Sequence, residues 1–308
     1  MTALFDAYLV VDWSARATPS PKRPSKDAIW IGVARAGSAG VEAHYLRTRA
    51  AAVDWLEARL RAEIAAGRRA LVGFDFPFGY PVGVAERVTG AASALALWRW
   101  LADAIRDDAE NASNRFDVAQ AINRLYDGVG PFWGAPGGRD LPDLPARGSD
   151  RAGADHPPER RACERIAKGA KTVWQLMYAG SVGSQVLLGL PALTQLKARF
   201  GDDAAIWPFE SGFAPPAAPV VLAEIYPSLF VAPSDASPAE IPDEAQVKAT
   251  AAAYREFDED GALSEMFEGP NVDAGTSAAE RLRAEREEAW ILGLGHAALA
   301  QKARAGAV

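Results

Sequence analysis

The sequence predicts an α/β fold: a mixed five-stranded sheet with a β-β-β-α-β start, interrupted by a large, mostly helical insertion. Three observations lead there. Short apolar runs of strand length close on carboxylates at Asp12, Asp75 and Glu224. After Thr48 the apolar residues recur at steps of three and four, and at Ala70 a compact apolar run returns. From Val82 onward helical patterns replace strand patterns until the strand signal returns near Ile206.

Ala7 to Trp13 (AYLVVDW) is a β-rich apolar run that stops at a carboxylate and turns into a Pro/Ser loop, so it reads as a buried strand. Ala28 to Ala34 and Val41 to Thr48 are strand-length runs joined by Gly37 to Gly40, and read as an antiparallel meander. Val53, Leu56, Leu60 and Ile64 then mark an amphipathic helix over 49–66, with Thr48 as N-cap and Gly67 as its stop. Ala70 to Asp75 is a buried run ending in a carboxylate. A helix placed before it makes it a crossover strand, parallel to the first through a right-handed connection. That topology sets Asp12 and Asp75 at the same edge of neighbouring strands.

The core is expected to comprise 1–81 and 204–308, with 82–203 as the insertion. Within the insertion, helical segments read at Ala91 to Asp107, Phe116 to Tyr126, Arg160 to Lys168 and Ser184 to Phe200. The Gly/Pro-rich stretch 127–158 is too long for an ordinary connection and reads as a functional lid or a poorly ordered loop. Strand signals return at Ile206 to Phe209 and Pro219 to Tyr226. A polar linker, Ala232 to Glu244, leads to a helix near Gln246 to Phe257, and a last helix is expected from Thr276 to Ala300.

Of the 308 residues, 49% are hydrophobic and 24% charged, enough apolar material for a full core. A net charge of −7 argues against a protein that coats nucleic acid through a broad basic face. A single cysteine, Cys163, rules out an internal disulfide and a CxxC metal site, which suits a reducing compartment. With no secretory leader pattern and no apolar run of bilayer length, the expectation is a cytoplasmic protein without a membrane partner.

Carboxylates at the ends of Val10-Val11-Asp12, Gly73-Phe74-Asp75 and Leu222-Ala223-Glu224 would converge where open α/β sheets bind their ligands. Like charges brought together there call for a cation, and hard oxygen donors favour Mg²⁺ or Mn²⁺. On the expected last helix, Glu287 precedes Trp290, Ile291 and Leu294 at steps of three, four and seven, so it or its neighbour Glu288 offers a fourth acidic group. Four carboxylates can hold two cations about 3.5–4 Å apart for attack on a phosphodiester. The plainer alternative is that acids end strands simply because the next residue is solvated.

The β-β-β-α-β order, Gly73-Phe-Asp-Phe-Pro-Phe-Gly-Tyr-Pro81, Glu224-Ile-Tyr-Pro-Ser228 and Arg160-Arg-Ala-Cys-Glu164 together resemble an uncharacterised bacterial family of predicted nucleases with the ribonuclease H fold. The resemblance spans nearly the whole chain. It implies a ribonuclease H-like sheet, with Asp12, Asp75 and Glu224 as metal-binding catalytic acids and Glu287 or Glu288 standing where such folds place an acid on the closing helix.

Arg160, Arg161, Arg165, Lys168 and Lys171 form the densest basic stretch, and helical spacing would set Arg161, Arg165 and Lys168 on one face able to grip phosphate. The alternative is a solvated helix paired to Glu159 and Glu164. Gly180-Ser-Val-Gly183-Ser184 reads as a turn with an N-cap at Ser181 or Ser184. Phe132, Trp133, Trp174, Trp207 and Tyr226 read as core or as stacking platforms. His44, His156 and His296 are too scattered for a triad or a zinc site. The expected activity is Mg²⁺- or Mn²⁺-dependent phosphoryl transfer, with nucleic acid or a small phosphorylated molecule as substrate. An actin-like ATP-dependent phosphotransferase and a non-catalytic small-molecule binder are the alternatives.

Overall fold

A computed structural model of the chain describes residues 3–231, 241–270 and 276–296. Its first strands are β1 (Ala7–Asp12), β2 (Ile29–Arg35) and β3 (Val41–Leu46), followed by α1 (Arg49–Ala65) and β4 (Ala70–Phe74). Thr48 caps α1, its Oγ1 accepting from the Ala51 amide, and Gly67 takes the left-handed conformation beyond the last turn. The β-β-β-α-β start therefore follows from local signals.

The sheet has six strands rather than five, in the order β3-β2-β1-β4-β6-β5. Its extra member is β5 (Ala204–Ile206), a three-residue edge strand parallel to β6 (Val220–Glu224). The weak run expected at Ile206 to Phe209 thus forms a strand of its own, shifted upstream and cut short where Trp207 and Pro208 enter a turn. β1, β2 and β3 are antiparallel neighbours, whereas β1, β4 and β6 run parallel.

Helices cover both faces. The inserted segment supplies α2 (Val84–Thr89), α3 (Ala94–Ala104), α4 (Arg115–Asn123), α5 (Ala162–Ile166) and α6 (Gly183–Phe200). Trp98 and Leu101 of α3 and Leu187, Leu190 and Leu193 of α6 share one apolar cluster with Leu9, Val72 and Leu222 of the sheet. The insertion is therefore continuous with the core on that face. Leu56 and Leu60 of α1 join the same cluster.

On the other face α7 (Pro242–Glu259) packs across β1 and β2, with Val247, Ala251 and Tyr254 against Tyr8, Val10 and Trp30. Gly32 makes this approach possible, because a Cβ there would overlap the Val247 carbonyl. Short helices α8 (Leu263–Met266) and α9 (Ala278–Arg283) complete the chain order. Among the described residues no helix is long and apolar enough to cross a membrane.

The stretch 127–158 has little regular structure but is anchored. Asn123 donates to the Phe132 and Asp143 carbonyls and accepts from the Phe132 amide, while Phe132 and Leu144 are buried. The closing helix departs most from expectation. After α9 one π-helical turn runs from Ala284 to Glu288, and Ala289 breaks it with φ of 61°. Trp290, Ile291 and Leu294 lie beyond that break, so Glu287 shares no helical face with them. Residues 297–300 of the expected helix fall outside the described residues.

Candidate functional site

Asp12 ends β1, and Asp75 follows β4 with its amide bonded to the Val11 carbonyl at 3.2 Å. Parallel neighbours in register point to the same face, so these two carboxyls leave the sheet side by side. Asp75 Oδ1 accepts from the Trp13 amide at 2.9 Å. The Asp12 and Asp75 carboxyls interact directly with each other. Burial raises both acids, Asp75 to about 6, and the negative charges of Asp75, Asp243 and Asp27 push Asp12 well above the usual carboxylate range. No lysine or arginine among the described residues forms an ion pair with either acid.

Asp12 opens into a cavity of about 490 Å³. Its wall combines the β1 loop (Trp13, Ser14, Arg16), Asp27, the N-terminus of α7 (Asp243, Gln246), Arg115 at the start of α4, and the first turn of α6 with Ser181, Ser184 and Gln185. Gln185 is drawn in by a 2.6 Å bond to the Trp13 carbonyl. The Asp243 carboxylate accepts from the Asp27 amide at 2.7 Å, and burial raises its pKa as well. Asp27, Asp243, Arg16 and Arg115 escaped the sequence reading because they lie in loops or at helix ends, where no periodic pattern marks them.

Glu224 is not part of this group. It lies opposite Phe74 in the β4–β6 register, one residue out of phase with Asp75, and so leaves the other face of the sheet. There Arg161 takes both its oxygens, at 2.6 and 2.7 Å, and Oε2 also accepts from the Phe78 amide. The expectation of Glu224 as a metal ligand is corrected accordingly: its lone pairs are committed to a guanidinium. Glu287 and Glu288, expected as completing acids, also bond backbone. Glu288 accepts from Val82 and Ala162, and Glu287 from Gly83, which ties the π-turn to the segment after Asp75.

The basic stretch does not form a phosphate-gripping face. Arg161 is fully buried between Glu164 and Glu224, and Arg160 donates to the Glu164 and Ala170 carbonyls. Arg165 pairs with Glu280 on the surface. Because α5 ends at Ile166, Lys168 lies outside it, and Lys171 borders a separate pocket of about 170 Å³ beside Arg161 and Tyr226. Buried Arg161, the residue expected at the centre of the gripping face, is instead a structural cation.

Other expectations resolve plainly. Val182, not a serine, is the N-cap of α6, and the Ser184 hydroxyl donates to the Leu176 carbonyl. Phe132, Trp174 and Trp207 are fully buried core residues, as is Cys163. His44 bonds Glu42, whereas His156 packs against Tyr126.

Among the described residues no group of three or more histidine, cysteine, aspartate or glutamate side chains is close enough to hold a metal ion. The three-acid shell expected from Asp12, Asp75 and Glu224 is therefore not assembled. What remains is a pair of adjacent carboxyls, a donor set that suits Mg²⁺, which commonly takes one or two carboxylates and completes its octahedron with water and substrate phosphate. No family model, curated protein or solved structure matches the chain.

Proposed function

We propose that the chain is a phosphoryl-transfer enzyme that hydrolyses a phosphate ester or diester with one divalent cation, Mg²⁺ or Mn²⁺, at the Asp12–Asp75 pair. One observation carries the reading: two carboxyls lie side by side on adjacent parallel strands, Asp12 at the wall of a 490 Å³ cavity, and among the described residues no basic side chain forms an ion pair with either. Such a pair gains most from a cation that offsets the mutual repulsion of the two carboxylates. Further support comes from the strand order β3-β2-β1-β4-β6, whose pattern of antiparallel and parallel neighbours is similar to a ribonuclease H-like core, with β5 as an addition at the edge.

In this reading Asp12 and Asp75 supply the oxygens that hold the ion, which when bound would polarise a phosphoryl oxygen and lower the pKa of water. The Trp13 amide fixes the rotamer of Asp75. Asp243 and Asp27 add negative potential around Asp12 and raise local cation concentration. The acidic chain and a cavity of about 490 Å³ favour a small or short phosphorylated substrate over long nucleic acid. The lone, buried Cys163 suits action in a reducing cytoplasm.

The test is calorimetric titration with Mn²⁺, alongside hydrolysis of bis(p-nitrophenyl) phosphate. Asp12→Asn and Asp75→Asn should each weaken Mn²⁺ binding at least about tenfold and abolish turnover, since each removes an anionic ligand. Unchanged Mn²⁺ affinity in both variants would overturn the reading.

A further inference from the structure

Arg115 opens α4 and is 7% exposed, yet among the described residues no carboxylate pairs with it. Its Nε donates to Ser184 Oγ at 3.0 Å and its Nη1 to Ser113 Oγ at 2.9 Å, whereas Nη2 has no partner among the described residues. The Ser184 hydroxyl spends its own proton on the Leu176 carbonyl, so its lone pair is fixed toward Arg115. The ring of Phe116 lies 4.5 Å from the guanidinium carbon. The fork is held rigid with one nitrogen left over.

A buried cation without a counter-ion is unfavourable. Burial and the nearby charge of Arg49 lower Arg115 to about 10, and Arg139 adds further repulsion. Asp107, whose charge reaches Arg115, is committed to Arg49, with contacts of 2.5 and 2.6 Å. The first turn of the 18-residue helix α6 meets the same cavity through Ser184 and Gln185, with Ser181 just ahead of it, adding the positive end of its dipole. Arg16 lines the cavity too, its buried Nε unpartnered.

We propose that Arg115, with the N-terminal turn of α6, is the subsite that binds the phosphate group of the substrate, in the cavity that Asp12 lines. The assignment rests on the phosphoryl-transfer reading for its purpose, but the anion site stands on its own geometry. A fixed guanidinium suits tetrahedral oxyanions, and a cavity of 490 Å³ has room for a phosphate with a small organic group attached. Asp12, Asp27 and Asp243 line the same cavity and repel a free anion, so a bound divalent cation and phosphate should favour each other.

The experiment measures binding of inorganic phosphate by calorimetry, with and without Mg²⁺, to the wild type, Arg115→Met, Arg115→Lys and Asp75→Asn. Loss of a charge-assisted pair should weaken phosphate binding about 10- to 100-fold in Arg115→Met, in both conditions, with partial recovery in Arg115→Lys. Asp75→Asn should retain phosphate binding but lose its enhancement by Mg²⁺. If Mg²⁺ enhances nothing while binding still depends on Arg115, the metal reading fails and the anion site survives. Wild-type crystals soaked in tungstate give a readout independent of variant folding, with anomalous density expected beside Arg115 Nη2. Density only elsewhere, or phosphate affinity unchanged in Arg115→Met, overturns the proposal.

Discussion

Arg161 grips Glu224 in a two-point embrace, Nη1 to Oε2 at 2.7 Å and Nη2 to Oε1 at 2.6 Å, with both side chains buried. The same guanidinium reaches Glu164 Oε1 at 2.7 Å and the Glu288 carbonyl at 2.6 Å. One cation thus fastens the end of β6 to α5 and to the π-turn.

Removing that cation leaves two buried carboxylates, Glu164 and Glu224, without their counter-ion. Arg161→Met should therefore destabilise the fold by about 3–5 kcal/mol, read from urea denaturation. The Arg161→Met/Glu224→Met double variant should recover part of the loss, because the uncompensated charge goes with its partner. Strict additivity of the two single changes would contradict a coupled pair.

Glu224→Gln separates structure from catalysis. A residue held by arginine contributes nothing to cation binding, so Mn²⁺ affinity should stay within about threefold of wild type, against the tenfold or larger loss in Asp75→Asn. A Glu224→Gln loss as large as that of Asp75→Asn would restore Glu224 to the metal shell.

The Asp12–Asp75 pair sets a pH dependence of unusual sign. Both carboxyls are raised in the folded chain, Asp75 to about 6, so the folded state binds more protons than the unfolded one above pH ~4. Their contribution to the stability of the metal-free protein should fall as pH rises from about 4 through 6 and beyond. Thermal melts of wild type and Asp75→Asn over that range check this: the variant should gain relative to wild type as pH increases. A wild-type curve parallel to the variant's would exclude the raised carboxyls.

Gly32 sits where β2 and α7 touch backbone to backbone. Gly32→Ala should force α7 outward and lower stability by about 3 kcal/mol, the upper range for overpacking. Because α7 carries Asp243, the same change should also alter Mn²⁺ affinity. Stability within about 0.5 kcal/mol of wild type would show that the contact gives way easily.

Asp258 near the end of α7 accepts from the amides of Leu4 and Phe5 and from the Tyr8 hydroxyl, at 2.7–2.9 Å. Asp258→Ala strands the Leu4 and Phe5 amides, while the Tyr8 hydroxyl keeps the Phe5 carbonyl at 2.8 Å, and should lower stability by about 2 kcal/mol in chemical denaturation. Phosphate binding at Arg115 should be untouched in the folded variant.

Much of the architecture was legible in local pattern. Thr48, Gly67 and the spacing of Val53, Leu56 and Leu60 announced α1, and the runs at 7–13, 28–34 and 70–75 announced the strands that form at 7–12, 29–35 and 70–74, whose order forces Asp12 beside Asp75. The end of the chain was misread because a step of three and four across Glu287, Trp290 and Leu294 looks helical on paper. Only the positive φ at Ala289 ends that helix, and alanine carries no signal for it. The cavity acids Asp27 and Asp243 are 216 residues apart and meet through one amide.

The sequence by itself determined the α/β class and the positions of the strand-end acids, because hydrophobic period and capping act over a few residues. It could not determine which acid is free and which is neutralised. That depends on the face each acid leaves from and on a charge that arrives from far along the chain, as Arg161 does for Glu224 across 63 residues. Coulomb attraction and desolvation act through space, so only the tertiary structure left Asp12 and Asp75 without an ion pair, and Arg115 without a counter-ion, among the described residues.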